Sequence, residues 1–262
     1  PDGSGLDLLK RIPIVPIPGG TGNGLAKSIC FACGNEPYSA LNCTFIAIKG
    51  SPYPLDLSRV TTKAGTQYSF LSLGWGLISD IDILSENMRC IGETRLYAAA
   101  IYFIAAKKKY RGTLRMILTT ENRNDDETNN NISSSDTAAI SKVQDSSHDI
   151  FRDPSTLRYR KIIDGDFLLV WVVQTSHAAS TMHSGPGIEL DDGVFTVYVV
   201  RDMSRAGLLQ LLIDIDTGDH VNNPCVEVYK AHKYSIDPFV NEDGPNGIYS
   251  LDGEVVEYGP LQ

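Results

Sequence analysis

The sequence lacks an excess of basic residues, and it lacks a long apolar run. Its 262 residues include 32 Asp and Glu against 23 Lys and Arg, which gives a net charge of −9. Nucleic-acid binding depends on a basic surface, so this balance argues against a nucleic-acid partner. The longest apolar run, residues 96–106, is about half as long as a bilayer-spanning helix requires. Neither a nucleic-acid binder nor a membrane-spanning protein is therefore expected.

Cysteine is also scarce. The five cysteines are odd in number and few for this length, a usage that suits a reducing compartment. This predicts a cytoplasmic location. Cys30 and Cys33 have the spacing of a redox motif, but they follow a glycine-rich turn on a predicted helix, and we interpret them as structural. His177 and His183, six residues apart, match neither a metal-binding helix motif nor the base of a nucleophile, and we interpret them in the same way.

The order of predicted elements indicates two kinds of structure. A short helix at 6–11, a strand at 12–17, a glycine-rich turn and a helix at 25–31 form one βα unit of an α/β domain. After residue 43 the pattern changes to β-branched and apolar runs separated by turn residues, which predicts a large antiparallel β domain. The predicted strands are 44–48, 53–60, 68–73, 114–119, 167–174, 194–200, 226–234 and 248–251.

Two helices and one polar segment interrupt this β pattern. The helices are predicted at 94–109, with lysines at its end, and at 204–216, with Ser204 as its cap. Residues 120–155 are rich in Asn, Ser, Thr and Asp, and we predict a disordered insertion there. The predicted fold class is therefore α/β plus all-β. Residues 1–43 would be the last βα unit of a Rossmann-like nucleotide domain, and 44–262 a β-sandwich.

The glycine-rich turn at 18–24 favours phosphate binding, because backbone N–H groups there lie beside the positive end of a helix dipole. Its alternating Gly20, Gly22 and Gly24 do not fit the dinucleotide fingerprint, and no lysine stands where a Walker loop requires one. On the glycines alone, a tight turn without a ligand stays an alternative.

The other residues of this turn, PGGTGNGLA at 18–26, are similar to the corresponding turn of diacylglycerol-kinase-like lipid kinases. Three further segments in the same order resemble sphingosine kinases: residues 72–95, with SLGWGLISDIDILSENMRC at their start; Asp191-Asp192-Gly193 followed by Ser204-Arg205-Ala206; and Asp252-Gly253-Glu254. The resemblance covers nearly the whole chain outside the polar insertion. It implies ATP-dependent phosphorylation of the primary hydroxyl of a sphingoid base to give sphingosine 1-phosphate.

The resemblance also implies a nucleotide site with ATP and Mg²⁺. Its residues would contact the phosphates from two sides of a cleft, and the arginine forks suit phosphate oxygens. Glu254, and less strongly Asp252, would face the nucleotide and its magnesium, directly or through water. Locally, Asp252-Gly253 is also an ordinary hairpin-turn signal. The implied ATP-binding set is Gly20, Thr21, Gly22, Asn23, Arg89, Arg95 and Glu254, with Asp252 and Glu254 as the metal candidates.

For the lipid, the resemblance implies that Asp82 recognises the amino-alcohol head group, with Ser72 beside it and Asp80 assisting. Asp80 and Asp82 would point to the same side on a strand and diverge on a helix, where a capping role is the alternative. Leu211, Leu212 and His220 would line an apolar tunnel for the alkyl chain, although a leucine stripe at helical spacing also fits an ordinary core. The helix at 94–109 could contact a peripheral membrane surface or a calmodulin-like regulator, and simple packing against the sheet is the alternative.

The sequence departs from this family in one respect. No Gly-Asp-Gly motif, whose Asp is the family's base for the hydroxyl, precedes residue 18; the nearest match is Asp2-Gly3-Ser4-Gly5. We therefore assign no catalytic residue and expect the chain to be the C-terminal portion of a longer kinase, inactive alone. Cys90 stands where the family often has a second basic residue. A diacylglycerol or ceramide kinase and a non-catalytic lipid-binding module stay as alternatives.

Overall fold

The computed structural model describes residues 12–20, 22–34, 37–85, 94–119, 160–240 and 247–262. The predicted helix at 6–11 and the predicted insertion at 120–155 lie outside these residues, as do Thr21, Arg89 and Cys90. At 94–97 the backbone alone is described, so the side chain of Arg95 is outside as well. Within the described residues, no helix has the length and apolar character needed to cross a membrane.

Two helices form the N-terminal part, α1 at Gly24–Ala32 and α2 at Ala40–Lys49. Helix α1 confirms the predicted helix, but the predicted strand at 12–17 is wrong, because these residues pair with no strand among those described. Prolines at 13 and 16 also remove two ladder donors from this segment. The predicted strand at 44–48 is wrong too, since it lies inside α2, whose N-cap Ser39 accepts a hydrogen bond from the backbone N–H of Asn42.

A small core joins these two helices. It contains Ala26, Cys30 and Cys43, with Tyr38 and Ile46 packed against it. Both Cys30 and Cys43 are free thiols buried in this core, and Cys33 is a free, exposed thiol. Helix α2 runs across residue 43, where we predict the domain boundary, so that boundary falls inside a helix.

Ten strands lie within the described residues, and every pairing between them is antiparallel, which confirms the predicted sheet class. β1 and β2 form a separate hairpin, and the other eight strands form one sheet in the order β10-β9-β3-β6-β7-β8-β4-β5. The strands are β1 Ser58–Thr62, β2 Gly65–Ser69, β3 Ser72–Gly76, β4 Tyr110–Leu118, β5 Arg160–Phe167, β6 Leu169–Val173, β7 Phe195–Val200, β8 Glu227–Pro238, β9 Tyr249–Leu251 and β10 Glu254–Val256.

The eight-stranded sheet curls so that one face encloses a core of its own. All eight of its strands contribute buried residues to this core. Three strands separate β3 from β4 in the sheet, yet the ring of Trp75 on β3 lies 5.4 Å from that of Phe167 on β5, and a Cβ on Gly112 of β4 would lie 2.9 Å from Trp75 Cη2. The two ends of the sheet therefore meet across its inner face.

Three helices cover the outer face. They are α3 at Leu77–Ser85, α4 at Thr94–Ala106 and α5 at Arg205–Thr217, the last with Ser204 as N-cap. The prediction of α5 is thereby confirmed, and that of α4 is confirmed except at its end, because the helix ends at Ala106 before the three lysines. A second core lies between these helices and strands β6 and β7, and Leu208, Leu211 and Trp171 belong to it.

The predicted strand at 68–73 is broken in two, because Phe70 and Leu71 donate their backbone N–H groups to the Asp252 carboxylate and not to a strand. The prediction at 167–174 is likewise interrupted at Leu168, where β5 ends and β6 begins.

Candidate active site

The glycine-rich turn is held together by its own asparagine. Asn23 Oδ1 accepts hydrogen bonds from the backbone N–H groups of Gly19 and Gly20, each at 3.3 Å, and Asn23 Nδ2 donates to the Gly20 carbonyl. Asn23 is also the N-cap residue of α1, with a left-handed backbone (φ 57°) that asparagine tolerates better than most residues. The structure thus gives Asn23 a role in shaping the turn, and phosphate binding by Gly20, Gly22 and Asn23 stays a prediction.

The turn and α1 are fixed to a loop of the β domain. The backbone N–H of Ser180 donates to the Gly22 carbonyl at 2.7 Å, and the Ser28 hydroxyl, fully buried, is 3.0 Å from the backbone N of His177. The imidazole rings of His177 and His183 stack with centroids 4.6 Å apart, and Phe31 of α1 contacts both. The two histidines, which the sequence analysis interprets as structural, therefore pack against helix α1.

Asp80 and Asp82 lie on helix α3, so they diverge as a helix requires. Asp80 is 3% exposed, and the Tyr110 hydroxyl donates to its Oδ2 at 2.6 Å. Asp82 is half-buried, and its Oδ2 accepts a hydrogen bond from the Ser250 hydroxyl at 2.6 Å. The two carboxylates therefore contact different strands, Asp80 at the start of β4 and Asp82 at the middle of β9.

The environment of Asp80 disfavours its charge. Burial raises the pKa of its carboxyl group, while the hydrogen bond from Tyr110 and the charge of Lys108, whose Nζ is 4.0 Å away, act in the opposite direction. Burial and the neighbouring carboxylate likewise raise the pKa of Tyr110. These contacts give Asp80 a role in anchoring α3 to the sheet, and its predicted contact with a head group stays untested.

Asp252 organises the chain before β3. Its carboxylate accepts the Ser69 hydroxyl at 2.7 Å and three backbone N–H groups, those of residues 70, 71 and 72, at 2.9–3.1 Å. With Gly253 it also forms the β9–β10 turn, where both residues have positive φ, as a two-residue hairpin turn requires. The hairpin alternative is thus confirmed. Both oxygens of the Asp252 carboxylate accept hydrogen bonds from groups of the protein itself.

The other metal candidate, Glu254, lies exposed on the edge strand β10. No group of three or more His, Cys, Asp or Glu residues within the described ranges is arranged to hold a metal ion. Mg²⁺ in nucleotide sites usually keeps several waters and takes only one or two carboxylates beside the phosphates. Glu254 is exposed and follows Asp252 by two residues, and its contact with such a hydrated Mg²⁺ stays a prediction.

The predicted alkyl-chain residues lie in the second core, between the three helices and strands β6 and β7. Leu211 is 2% exposed, Leu212 is half-buried, and the His220 ring is packed 4.9 Å from Tyr198. Burial lowers the pKa of His220, and nearby backbone groups of Ser184 and Asp214 act in the opposite direction. Among the described residues, neither ring nitrogen of His220 has a partner at full hydrogen-bond geometry.

The part of the surface that the structure describes includes two depressions. One, of about 380 Å³, is apolar and lies between α3 and α4, lined by Leu84, Ala98, Ala99, Tyr102 and Phe103. The other, of about 340 Å³, lies beside β1 and β8, has both polar and apolar lining residues, and contains none of the predicted site residues.

The structure brings Ser72, Asp82 and Asp252 into one region. The backbone of Ser72 both donates to the Asp252 carboxylate and accepts from its N–H, and Gly74 on β3 pairs with Ser250 on β9. Sequence reasoning missed Ser250 and Tyr110. For Ser250 the available signal is a single polar residue between the buried Tyr249 and Leu251, directly before the Asp-Gly turn. Tyr110 carries no local signal, because its role depends on a helix 30 residues away.

Comparison with known proteins gives three findings. Residues 149–262 match a family model described as the YegS C-terminal NAD kinase beta sandwich-like domain. Sphingosine kinase 1 of Arabidopsis thaliana is 28% identical over 95% of this chain and 51% of its own length. Sphingosine kinase 1 of Homo sapiens is 29% identical over 93% of this chain and 63% of its own length. The chain thus spans about half to three fifths of these relatives.

The solved structures show the fold. A diacylglycerol kinase from Bacillus anthracis str. Sterne superposes with a TM-score of 0.51 and 13% identity, over 94% of this chain and 63% of that one. A further structure from the same strain has a TM-score of 0.56 at 15% identity, over 95% of this chain and 65% of that one.

Proposed function

We propose that this chain, which is homologous to sphingosine kinases over more than 90% of its length, carries the lipid-binding part of a sphingoid-base kinase. The reaction would transfer the γ-phosphoryl group of ATP to the primary hydroxyl of a long-chain base. The observation that carries the proposal is Asp82, a half-buried carboxylate held by Ser250 at the edge of an apolar helix layer. A carboxylate there suits an ammonium head group, and the apolar layer suits a hydrocarbon chain.

The lipid side of the site uses residues of the outer face. Asp82 would pair with the ammonium, Ser72 would lie beside the head group, and Asp80 would hold α3 in place. Leu211, Leu212 and His220 would border the alkyl chain, since all three lie on the apolar side of α5 or directly after it. The apolar depression between α3 and α4 adds a surface on which a hydrocarbon chain could lie.

The nucleotide side rests on the glycine-rich turn and on residues outside the described ranges. Gly20, Gly22 and Asn23 would present the turn to the phosphates, with Thr21, Arg89 and Arg95 as further contacts. ATP supplies the phosphoryl group, and Mg²⁺ neutralises phosphate charge when it is bound. Glu254 would orient the water ligands of Mg²⁺, and Asp252 would keep the β9–β10 turn in place for it. The proton acceptor for the hydroxyl is not assigned to a residue of this chain.

A kinase assay of the full-length protein tests this proposal. With radiolabelled ATP, we expect label in sphingosine and none in ceramide or diacylglycerol, whose head groups lack the ammonium. Asp82→Asn should lower kcat/KM for sphingosine about ten- to hundredfold, the loss expected when a charge-assisted hydrogen bond is removed. Asp164→Asn is the matched control, because Asp164 also accepts a hydroxyl hydrogen bond, from Thr113, on the distant strand pair β4–β5.

Two results would contradict the proposal. Label in ceramide or diacylglycerol, with none in sphingosine, would favour the other lipid kinases. Lipid binding by the full-length protein without any phosphoryl transfer would favour a non-catalytic module.

We also propose that helix α4 contacts a peripheral membrane surface. Ile101 and Tyr102 on this helix are 64% and 68% exposed, which is unusual for large apolar side chains on adjacent positions. The lysines that follow the helix contribute less to membrane attraction than their number suggests. Lys107 pairs with Asp202 at 3.1 Å, and Lys108 lies over the Tyr110 ring.

Sedimentation with phosphatidylcholine vesicles tests this contact. Changing Ile101 and Tyr102 together to Ser should lower the bound fraction severalfold, whereas Leu41→Ser, an equally exposed apolar change on α2, should not. Unchanged vesicle binding would contradict the proposal, and calcium-dependent binding of calmodulin that is lost in the double variant would assign this helix to a protein regulator.

A further inference from the structure

Ser250 is a buried polar residue in an apolar strand. It lies between Tyr249 and Leu251 on β9, and these two neighbours point into the inner core while Ser250 points to the outer face. Its own exposure is 6%. A buried hydroxyl costs free energy unless it is hydrogen-bonded, so the partner of Ser250 explains why a polar residue is tolerated here.

That partner is the carboxylate of Asp82, which we propose binds the lipid head group. The Ser250 hydroxyl donates to Asp82 Oδ2 at 2.6 Å. Hydrogen bonds of this kind, between a hydroxyl and an ionised acceptor, are short and roughly twice as strong as those between neutral groups. The bond joins a helix to a strand 168 residues away in sequence, so it exists only in the folded protein.

The backbone around this bond is fixed independently of it. Gly74 pairs with Ser250 across the β3–β9 ladder, and a Cβ on Gly74 would lie 2.8 Å from Ser79 Oγ, so α3 rests directly on the strand pair. Asp80 anchors the same helix turn through Tyr110. Because these contacts place the Asp82 backbone, the hydrogen bond from Ser250 acts on the orientation of the Asp82 carboxylate.

We propose that Ser250 is a positioning residue that sets the orientation of the Asp82 carboxylate and thereby the preference for lipids with a cationic amino head group. This inference rests on the proposed function. A carboxylate that is already oriented requires no rearrangement when an ammonium group binds. Because this lowers the free-energy cost of binding, the affinity for the ammonium lipid increases. A neutral head group, which does not need the carboxylate, gains nothing from the hydroxyl.

Steady-state kinetics of the full-length protein with sphingosine test the inference. Ser250→Ala should raise KM for sphingosine about tenfold, which corresponds to about 1.4 kcal/mol, and leave kcat within about twofold, because the loss is in orienting the bound lipid. Ser250→Thr keeps the hydroxyl and should restore KM. Thr113→Ala is the matched control, since Thr113 also donates its hydroxyl to a carboxylate, on the β4–β5 pair.

A second readout separates positioning from a general structural effect. Inhibition by a non-phosphorylated primary-amine lipid should weaken in Ser250→Ala by the same factor as KM rises, while inhibition by its N-acetylated, neutral counterpart should not change. KM for ATP should also stay at the wild-type value. Equal weakening for both inhibitors, or a rise in KM for ATP parallel to that for sphingosine, would overturn the inference.

The two proposals can fail separately. If the wild-type protein phosphorylates no sphingoid base, the proposed function fails. If it does phosphorylate sphingosine, and Ser250→Ala has the wild-type KM, the function stands and the positioning role of Ser250 is wrong.

Discussion

The carboxylate of Asp252 holds four donors, so its substitution tests structure more than chemistry. Asp252→Asn keeps a residue that tolerates positive φ, but its amide offers one acceptor oxygen where the carboxylate offers two. We expect a loss of about 1–3 kcal/mol in the free energy of unfolding, the cost of leaving partly buried N–H groups without an acceptor. Urea unfolding followed by circular dichroism measures it.

Glu254→Gln is the companion variant, because Glu254 is exposed on the neighbouring strand. Its free energy of unfolding should stay within about 0.5 kcal/mol of the wild type. If Glu254 binds Mg²⁺ directly or through water, Glu254→Gln should also raise the Mg²⁺ concentration needed for half-maximal activity. A stable Asp252→Asn protein would show that the four hydrogen bonds contribute little.

Tyr110→Phe removes the donor from a buried carboxylate, and its effect should depend on pH. Burial already raises the folded-state pKa of Asp80 above the ordinary value of an aspartate, so ionised Asp80 opposes folding. The Tyr110 hydrogen bond lowers that pKa, and its removal raises the pKa further. The variant should therefore match the wild type at a pH below both pKa values and lose about 2 kcal/mol above neutral pH.

Urea unfolding at several pH values measures this difference. Lys108→Gln is the control, because Lys108 is a weaker contact of the same carboxylate, with its Nζ 4.0 Å away and partly exposed. A deficit of Tyr110→Phe that is constant with pH would indicate lost packing and not a lost charge interaction.

For single residues, the sequence could identify which side chains have suitable chemistry, but it could not identify their hydrogen-bond partners. Asp80 and Asp82 look equivalent in the sequence, and only the helical backbone sends one to Tyr110 and the other to Ser250. Asp252 could be recognised as a turn residue from Asp-Gly alone. Its hydrogen bonds to residues 69–72 could not be, because they join segments about 180 residues apart.

Helix α1 depends on one glycine for its contact with the β domain. A Cβ on Gly24 would lie 2.5 Å from the Ala178 carbonyl oxygen, a backbone atom that cannot move aside, whereas nothing lies within 4 Å of a Cβ on Gly19. We expect Gly24→Ala to separate α1 from the 177–180 loop at a cost of about 1–3 kcal/mol. Gly19→Ala should be nearly neutral.

Amide hydrogen exchange reports this separation. In Gly24→Ala, the N–H groups of His177 and Ser180, which are bonded to Ser28 and Gly22, should exchange faster than in the wild type. Equal protection in both variants would mean that the loop adapts to the added methyl group.

Elements could be predicted where local pattern and tertiary role agree. Alternation and β-branched residues identify β7 and β8, and the Ser204 cap with its leucine stripe identifies α5. Residues 44–48 have strand-forming composition, yet they lie in α2, because a cap at Ser39 and a shared core with α1 outweigh weak propensity. The strand β5 is not predicted because two of its outward positions carry the charges Asp164 and Asp166, which interrupt the apolar pattern.

For the whole molecule, the sequence indicates an antiparallel β domain but not how its sheet is ordered or closed. Strand order depends on pairings such as β3 with β9, which are about 180 residues apart and leave no local pattern. Closure depends on a large residue of one strand meeting a glycine of another. Trp75 and Gly112 are such a pair, and neither predicts the other in the sequence.

Closure of the sheet can be tested at Gly112. A Cβ there would lie 2.7 Å from the Asp237 carbonyl oxygen and 2.9 Å from Trp75 Cη2, so Gly112→Ala must push β4 away from both β8 and β3. We expect a loss of about 1–3 kcal/mol in the free energy of unfolding, with a methyl group forced into a packed core as the cause. Because the inner core includes residues of all eight strands, the loss should appear in a single cooperative transition.

Trp75 reports the same change directly. In a Trp171→Phe background it is the single tryptophan of the chain, and it is fully buried. Its emission should shift to longer wavelength in Gly112→Ala, since a displaced β4 exposes the indole ring, and should stay unchanged in Thr113→Ala, the neighbouring surface change on the same strand. A blue-shifted, wild-type emission in a destabilised Gly112→Ala protein would place the strain at Asp237 on β8, and the contact between the two ends of the sheet would not be what closes it.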